Sequence, residues 1–177
     1  MIIKQGPLTI RPLAEEDAEW LTKWLSDDQV LEFYEGRDRP FSLEQVKETF
    51  YEREEEVFRN IVFYEDQPIG YIQYYPIDSE ERLEFSYRDD ETIYGMDQFI
   101  GEVSYWNRGI GTELINTMVH FLSNTVGASK IIMDPQTWNV RAIRCYEKCG
   151  FVKKMLLPKR EWHEGEYRDC WLIEYSN

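Results

Sequence analysis

Two glycines spaced two apart, Gly109 and Gly111, follow a basic residue, Arg108, in the stretch YWNRGIGTELI (105–115). Glycine lets a backbone come close to an anion, and the first amides of a helix have no intrahelical acceptor. Together with the helix dipole they form an anion site worth roughly 0.3–1 kcal/mol per charge before hydrogen bonds are counted. The chemistry on offer is a grip on a phosphorylated ligand. The competing reading is a tight turn into a helix. The stretch is not a dinucleotide fingerprint, because Leu114 stands where a third glycine is wanted, and no Gly-Lys-Ser/Thr follows as in a Walker A loop.

A second segment, DPQTWNVRAIRCYEKCGF (134–151), comes one strand later and holds Asn139, Ala142, Tyr146, Gly150 and Phe151. Asn139 stands at a helix start, where its side chain can cap an orphan amide. Tyr146 is either a core aromatic of an amphipathic helix or a hydroxyl aimed at a reacting group, and one ring can do both. Asp97, in TIYGMDQFI (92–100), is either a strand-face acid or a proton acceptor.

The elements that must position these residues follow from pattern. Residues 7–13 alternate and predict a first strand. Residues 14–26 carry Ala18, Leu21, Trp24 and Leu25 at helical spacing, with acids in the first turn. A loop over 35–40 precedes a capping box, Ser42 to Gln45, that opens a helix ending near 53. Runs 57–65 and 68–75 predict strands joined through Glu65-Asp66-Gln67 as a hairpin. Residues 78–91 read as an acidic loop with a short strand near 83–87. A strand follows over 92–100, then a connection over 101–108. Residues 109–125 predict a helix with Ile110, Leu114, Met118, Phe121 and Leu122 on one face. Residues 130–133 form a short strand stopped by Asp134-Pro135, and 139–149 a helix closed by Gly150. Strands over 151–157 and 167–175 end the chain. The order describes one mixed α/β domain over 1–177.

Composition narrows the function classes. The 177 residues suit one domain, and 42% hydrophobic content supports a real core. No run of eighteen apolar residues exists, and MIIKQGPLTIRPL lacks the features of a signal peptide, so a cytoplasmic location is expected. A net charge of −14 repels nucleic acid and anionic membrane and attracts a polycation. Three cysteines, Cys145, Cys149 and Cys170, argue against a disulfide framework. Cys145 and Cys149 share a helix face and read as packing thiols. His120 and His163 are isolated, and no metal site is expected.

The two chemical segments together resemble the GNAT N-acetyltransferase superfamily. Within it, the chain is similar to the aminoglycoside 6'-N-acetyltransferase family, including the acetyltransferase half of bifunctional aminoglycoside-modifying enzymes. VLEFYEGRD (30–38), YGMDQFIGE (94–102), YWNRGIGT, NVRAIRCYEKCGF and HEGEYRDCWLIEY (163–175) carry the likeness across most of the chain. One departure is Trp106, where the family often has Arg or Gln three residues before the first glycine. The resemblance implies an α/β (α+β) fold, with a mostly antiparallel mixed sheet of about seven strands, flanking helices and a splayed central strand pair. It implies acetyl-CoA as cosubstrate and a primary amine of a polycationic sugar as acceptor, in a monomer or homodimer.

The resemblance also assigns roles. Arg108, Gly109, Ile110, Gly111 and Thr112 would hold the pyrophosphate of acetyl-CoA, with Asn139, Ala142 and Tyr146 beside its pantetheine arm. Backbone around Phe99 and Ile100 would polarise the thioester carbonyl. Asp97 would accept the amine's proton, and Tyr146 would donate to the departing thiolate. Asp134 and Asp169 match acids that line the aminoglycoside site, and Glu84 joins them by location. A polyamine or a protein N-terminus is the alternative acceptor. A domain that binds coenzyme A without turnover is the alternative class.

Overall fold

Leu8 and Ile10 alternate with Thr9 and Arg11, and the alternation sorts them, with the first two buried and the others partly exposed. The computed structural model describes residues Met1–Asn177. It opens with a hairpin of β1 (Ile3–Gln5) and β2 (Leu8–Pro12), where one strand over 7–13 was expected. Gly6, at φ 55, makes the reversal possible. β1 has three residues and no buried side chain, so its sequence carries no alternation to detect.

A 3-10 turn (Glu15–Asp17) leads into α1 (Ala18–Trp24). Asp17 is buried, and Arg11 compensates it with a two-pronged ion pair at 2.7 and 3.0 Å. α2 (Asp28–Leu31) is unexpected: four residues are too few to show a helical period, and Asp27 caps it by accepting from the Gln29 amide. α3 (Leu43–Phe50) starts with the predicted capping box, in which Ser42 and Gln45 accept each other's amides.

β3 (Phe58–Tyr64) and β4 (Gln67–Pro76) form the predicted hairpin. Glu65 and Asp66 both have positive φ, 48 and 65, as a two-residue turn of the primed type requires. The short strand expected near 83–87 is replaced by α4 (Ser79–Glu84), capped by Asp78 on the Glu81 amide. Its acids fall in the first helical turn, where the dipole favours them.

β5 (Ile93–Ile100), a 3-10 turn (Val103–Tyr105) and α5 (Ile110–Phe121) follow. α5 runs into a π turn (Leu122–Val126) ended by Gly127. β6 (Lys130–Met133), α6 (Val140–Lys148), β7 (Val152–His163) and β8 (Glu166–Ser176) complete the chain. The strand order is β1-β2-β3-β4-β5-β6-β8-β7 in an eight-stranded, mostly antiparallel sheet; β1 is the strand beyond the expected seven. β5 and β6 run parallel. This parallel pair is registered from Ile93 opposite Lys130 to Gly95 opposite Ile132, and β5 then runs on to Ile100 past the end of the pairing. No helix is long and apolar enough to cross a membrane.

The chain packs as two compact units. One comprises Met1–Gln73, Asp97–Ile110 and His163–Gly165, around Leu21, Trp24, Leu25, Val46, Ile61, Tyr71 and Phe99. The other comprises Tyr74–Met96, Gly111–Trp162 and Glu166–Asn177, and includes a core of Ile77, Phe85, Ile93, Ile132, Leu157, Cys170 and Leu172. In the first unit the chain beyond β5 passes flat over an indole. A Cβ on Gly101 would stand 2.1 Å from the Trp24 ring. The same indole donates to Glu102 at 3.0 Å, and Lys23 donates to that carboxylate at 2.8 Å. Gly101→Ala therefore forces Trp24 or the strand end to move. We expect a loss of about 1–3 kcal/mol in denaturant unfolding, and an unchanged midpoint would contradict this packing.

Candidate active site

Asp97 lies on β5, half-buried, and its carboxylate accepts a hydrogen bond from Gln73 Nε2 at 2.9 Å. Gln73 in turn accepts from the Tyr71 hydroxyl at 2.7 Å. Tyr71 and Gln73 are two apart on β4 and so share a sheet face. The amide of Gly101 donates to the Ile69 carbonyl, which sets an antiparallel register that brings Gln73 opposite Asp97. Burial pushes the Tyr71 pKa far above its ordinary value, so the phenol keeps its proton and can donate it to Gln73. A carboxylate only accepts, so the Gln73 nitrogen faces Asp97 and its oxygen is left for Tyr71. The sequence reading found Asp97 but neither supporting residue, because the register of two strands is not written in either one.

The glycine turn is shaped by two residues in the left-handed region. Asn107 and Gly109 both adopt positive φ, 60 and 76, which brings the chain into α5. Buried Ile110 anchors the turn, while Arg108 is exposed and stacks over Tyr105 at 4.8 Å and Tyr64 at 5.9 Å. Gly109 is required by its conformation. Gly111 is not: its φ is ordinary, and a Cβ there would meet the Cys145 sulfur at 3.7 Å, an ordinary contact. Glycine in a helix costs up to ~1 kcal/mol relative to alanine, so neither backbone nor packing accounts for Gly111. Trp106, the departure from the family pattern, has a task of its own: its indole donates to the Ile100 carbonyl at 2.8 Å and ties the connection to the end of β5. Phe99 is buried in the first unit's core, and Ile100 is half-buried at the strand end.

α6 carries Tyr146, half-buried and edge-on to Phe151 at 6.3 Å, with Ala142 half-buried one turn earlier. Asn139 precedes the helix but does not cap it, since its side chain accepts no backbone amide there. This corrects the capping expectation: at ψ 65 Asn139 departs from the extended geometry that aims a capping side chain at the next turn.

The expected substrate acids meet protein partners. Arg160 of β7 donates to both Glu84 oxygens, at 2.8 and 2.7 Å, and its Nε lies 3.5 Å from Asp134. Asp134 and Glu84 are therefore brought together, but around a cation the protein itself supplies. Asp169 is exposed, and its carboxylate accepts the amide of Lys159, a residue at φ 51. Nothing local in the sequence signals these pairings. Because Arg160 and its partners are partly exposed, 27% against 45% and 41%, the network contributes little to folding. Arg160→Leu should shift stability by less than ~1 kcal/mol in thermal or urea unfolding; a larger loss would make the network structural.

Residues 14–157 match the acetyltransferase (GNAT) domain family. The chain is 32% identical over 150 residues to aminoglycoside N(6')-acetyltransferase type 1 of Klebsiella pneumoniae, covering 83% of this chain and 75% of that one. The crystal structure of aminoglycoside acetyltransferase AAC(6')-Ib with coenzyme A and kanamycin aligns with a TM-score of 0.76 at 27% identity, over 96% of this chain and 95% of that one. Spermidine N-acetyltransferase from Vibrio cholerae, solved with CoA and spermine, shares the fold at a TM-score of 0.78 and 19% identity, over 97% and 96%. On the extent of the domain match and the identity to these enzymes, the chain belongs to the GNAT acetyltransferase family.

Proposed function

We propose that the chain transfers an acetyl group from acetyl-CoA to the 6'-amino group of an aminoglycoside, by direct attack of the amine. The carrying observation is the oriented Tyr71–Gln73–Asp97 chain, at the aspartate that the resemblance marks as the base. Identity to enzymes named for this activity supports it. The glycine turn fits the cosubstrate, since Gly109 has the conformation of an amide cradle and Gly111 leaves its approach open. Arg108 adds a cation presteadied by Tyr105. Acetyl-CoA supplies an activated acyl thioester; the chain supplies grip, orientation and proton handling.

An ammonium must lose a proton before it can attack. In this reading Asp97 takes it, and Gln73 keeps the carboxylate turned toward the amine. Tyr146 returns a proton to the leaving sulfur. Amides near Phe99 and Ile100 stabilise the developing oxyanion; those of Gly101 and Glu102 are already engaged with the Ile69 carbonyl. Asn139 and Ala142 line the cosubstrate's arm, and Thr112 completes the cradle. Asp134, Glu84 and Asp169 attract the polycation. Arg160 holds the first two, so substrate ammonium groups reach them by exchange with its guanidinium.

Release of free CoA thiol from acetyl-CoA tests the reading, with kanamycin, spermidine and a basic peptide as acceptors. We expect rapid release with kanamycin and a product acetylated at the 6' nitrogen by mass and NMR. Release only with spermidine or the peptide would transfer the activity to that amine. Asp97→Asn should bind acetyl-CoA normally and lose about 10²–10⁴-fold in turnover, and undiminished turnover would reject Asp97 as the base. Gln73→Leu removes one charge-assisted bond and should lower turnover about 10–100-fold with cosubstrate affinity intact.

A further inference from the structure

Cys145 lies on α6 and Cys149, four residues on, is its C-cap, and their sulfurs converge on Thr112 in the first turn of α5. Cys145 Sγ lies 3.5 Å from the Thr112 hydroxyl, and the Cys149 thiol lies 3.7 Å from the Thr112 carbonyl. Helix geometry separates such a pair by about 6.2 Å between Cα atoms and about 5–6 Å between Cβ atoms, so a disulfide closes only when Cys149, the C-cap of α6, draws in by about 1–2 Å. Cys145 is half-buried and reachable, while Cys149 is buried at 6% exposure behind it.

We propose that Cys145 and Cys149 form an oxidation site for hydroperoxides, and that closing a disulfide there loosens the acetyl-CoA cradle through Thr112. The Cys145 thiolate attacks the peroxide oxygen and becomes a sulfenic acid, releasing hydroxide. The Cys149 sulfur then attacks the sulfenic sulfur and water leaves. Two thiols give up two electrons and two protons, and hydrogen peroxide is reduced to two waters. The surroundings suit these roles. The Cys149 hydrogen bond, the Thr112 hydroxyl and the Lys148 charge lower the Cys145 pKa to about 6 against the pull of burial. The same sulfur lies beside the first turn of α5, the positive end of that helix. The Cys149 thiol is held protonated by the same bond, and burial pushes Cys170 up to about 12, which leaves Cys170 out of the chemistry. Once the two sulfurs are bonded to each other, Cys149 has no thiol hydrogen left for the Thr112 carbonyl, and Cys145 is drawn from the Thr112 hydroxyl.

The disulfide can be tested without the functional reading; its effect on the cradle rests on that reading. The purified protein is treated with hydrogen peroxide, its thiols are counted after denaturation, and its peptides are mapped by mass. We expect loss of two of the three thiols, a Cys145–Cys149 link and recovery with dithiothreitol. Iodoacetamide should label Cys145 at a rate rising through pH ~6, rather than near 8.5 as for an ordinary thiol. Equilibrium binding of acetyl-CoA should weaken about tenfold on oxidation, the scale of one disturbed contact, with the fold intact by circular dichroism. Cys149→Ser should yield a dimedone-trapped sulfenic acid at Cys145 and no disulfide. Retention of all three thiols, or a link through Cys170, would overturn the site. A Cys145–Cys149 disulfide with unchanged acetyl-CoA binding would overturn its coupling to the cradle. Failure of the reduced protein to bind acetyl-CoA would instead count against the functional reading.

Discussion

The hydroxyl of Tyr71 has lost contact with water and keeps its proton, and that one constraint gives the sheet a direction. The phenol donates that proton to Gln73, whose carbonyl oxygen faces inward and whose amide nitrogen faces outward. The outward amide then meets Asp97. The carboxylate at the strand face is thus oriented by a residue that belongs to the hydrophobic core. Buried donors of fixed polarity make such relays rigid, because reversing any one member would leave a group unsatisfied.

In the proposed function, the grip on the cosubstrate relies on backbone rather than side chains. Positive φ at Asn107 and Gly109 turns the chain into α5, and Trp106 pins the connection to the end of β5. A cradle of this kind tolerates Trp106 where relatives often carry Arg or Gln, since amides need no particular neighbour to present their hydrogens. Its sensitivity lies in what packs behind it, and there the two α6 sulfurs meet Thr112.

What could be read from sequence was local, and what escaped was either very short or long in range. The capping box at Ser42, the turn at Glu65-Asp66, the strand Lys130–Met133 and the glycine end of α6 each carry their signal within a few residues. β1, α2 and α4 are too short to show a period, and α4 was hidden by acids that suit a loop as well as a helix start. Asp97 and the glycines were legible as candidates because chemistry restricts which residues can serve. Gln73, Tyr71 and Arg160 were not, since their roles depend on strands and helices distant in sequence meeting in one register. Asn139 shows the opposite error: a good capping residue at a helix start, with a backbone conformation that does not let it cap.

The contact between Trp24 and Gly101 bears on how such a chain can change over time. The indole lies where a side chain at 101 would have to be, and it also supplies one of the donors to Glu102. Enlarging position 101 first collides with the ring. Shrinking position 24 first opens a void and strips a hydrogen bond from Glu102. Neither step is neutral alone, so the two positions form a joint constraint on drift: lineages should keep both or exchange both together, with the partner of Glu102 replaced in the same passage.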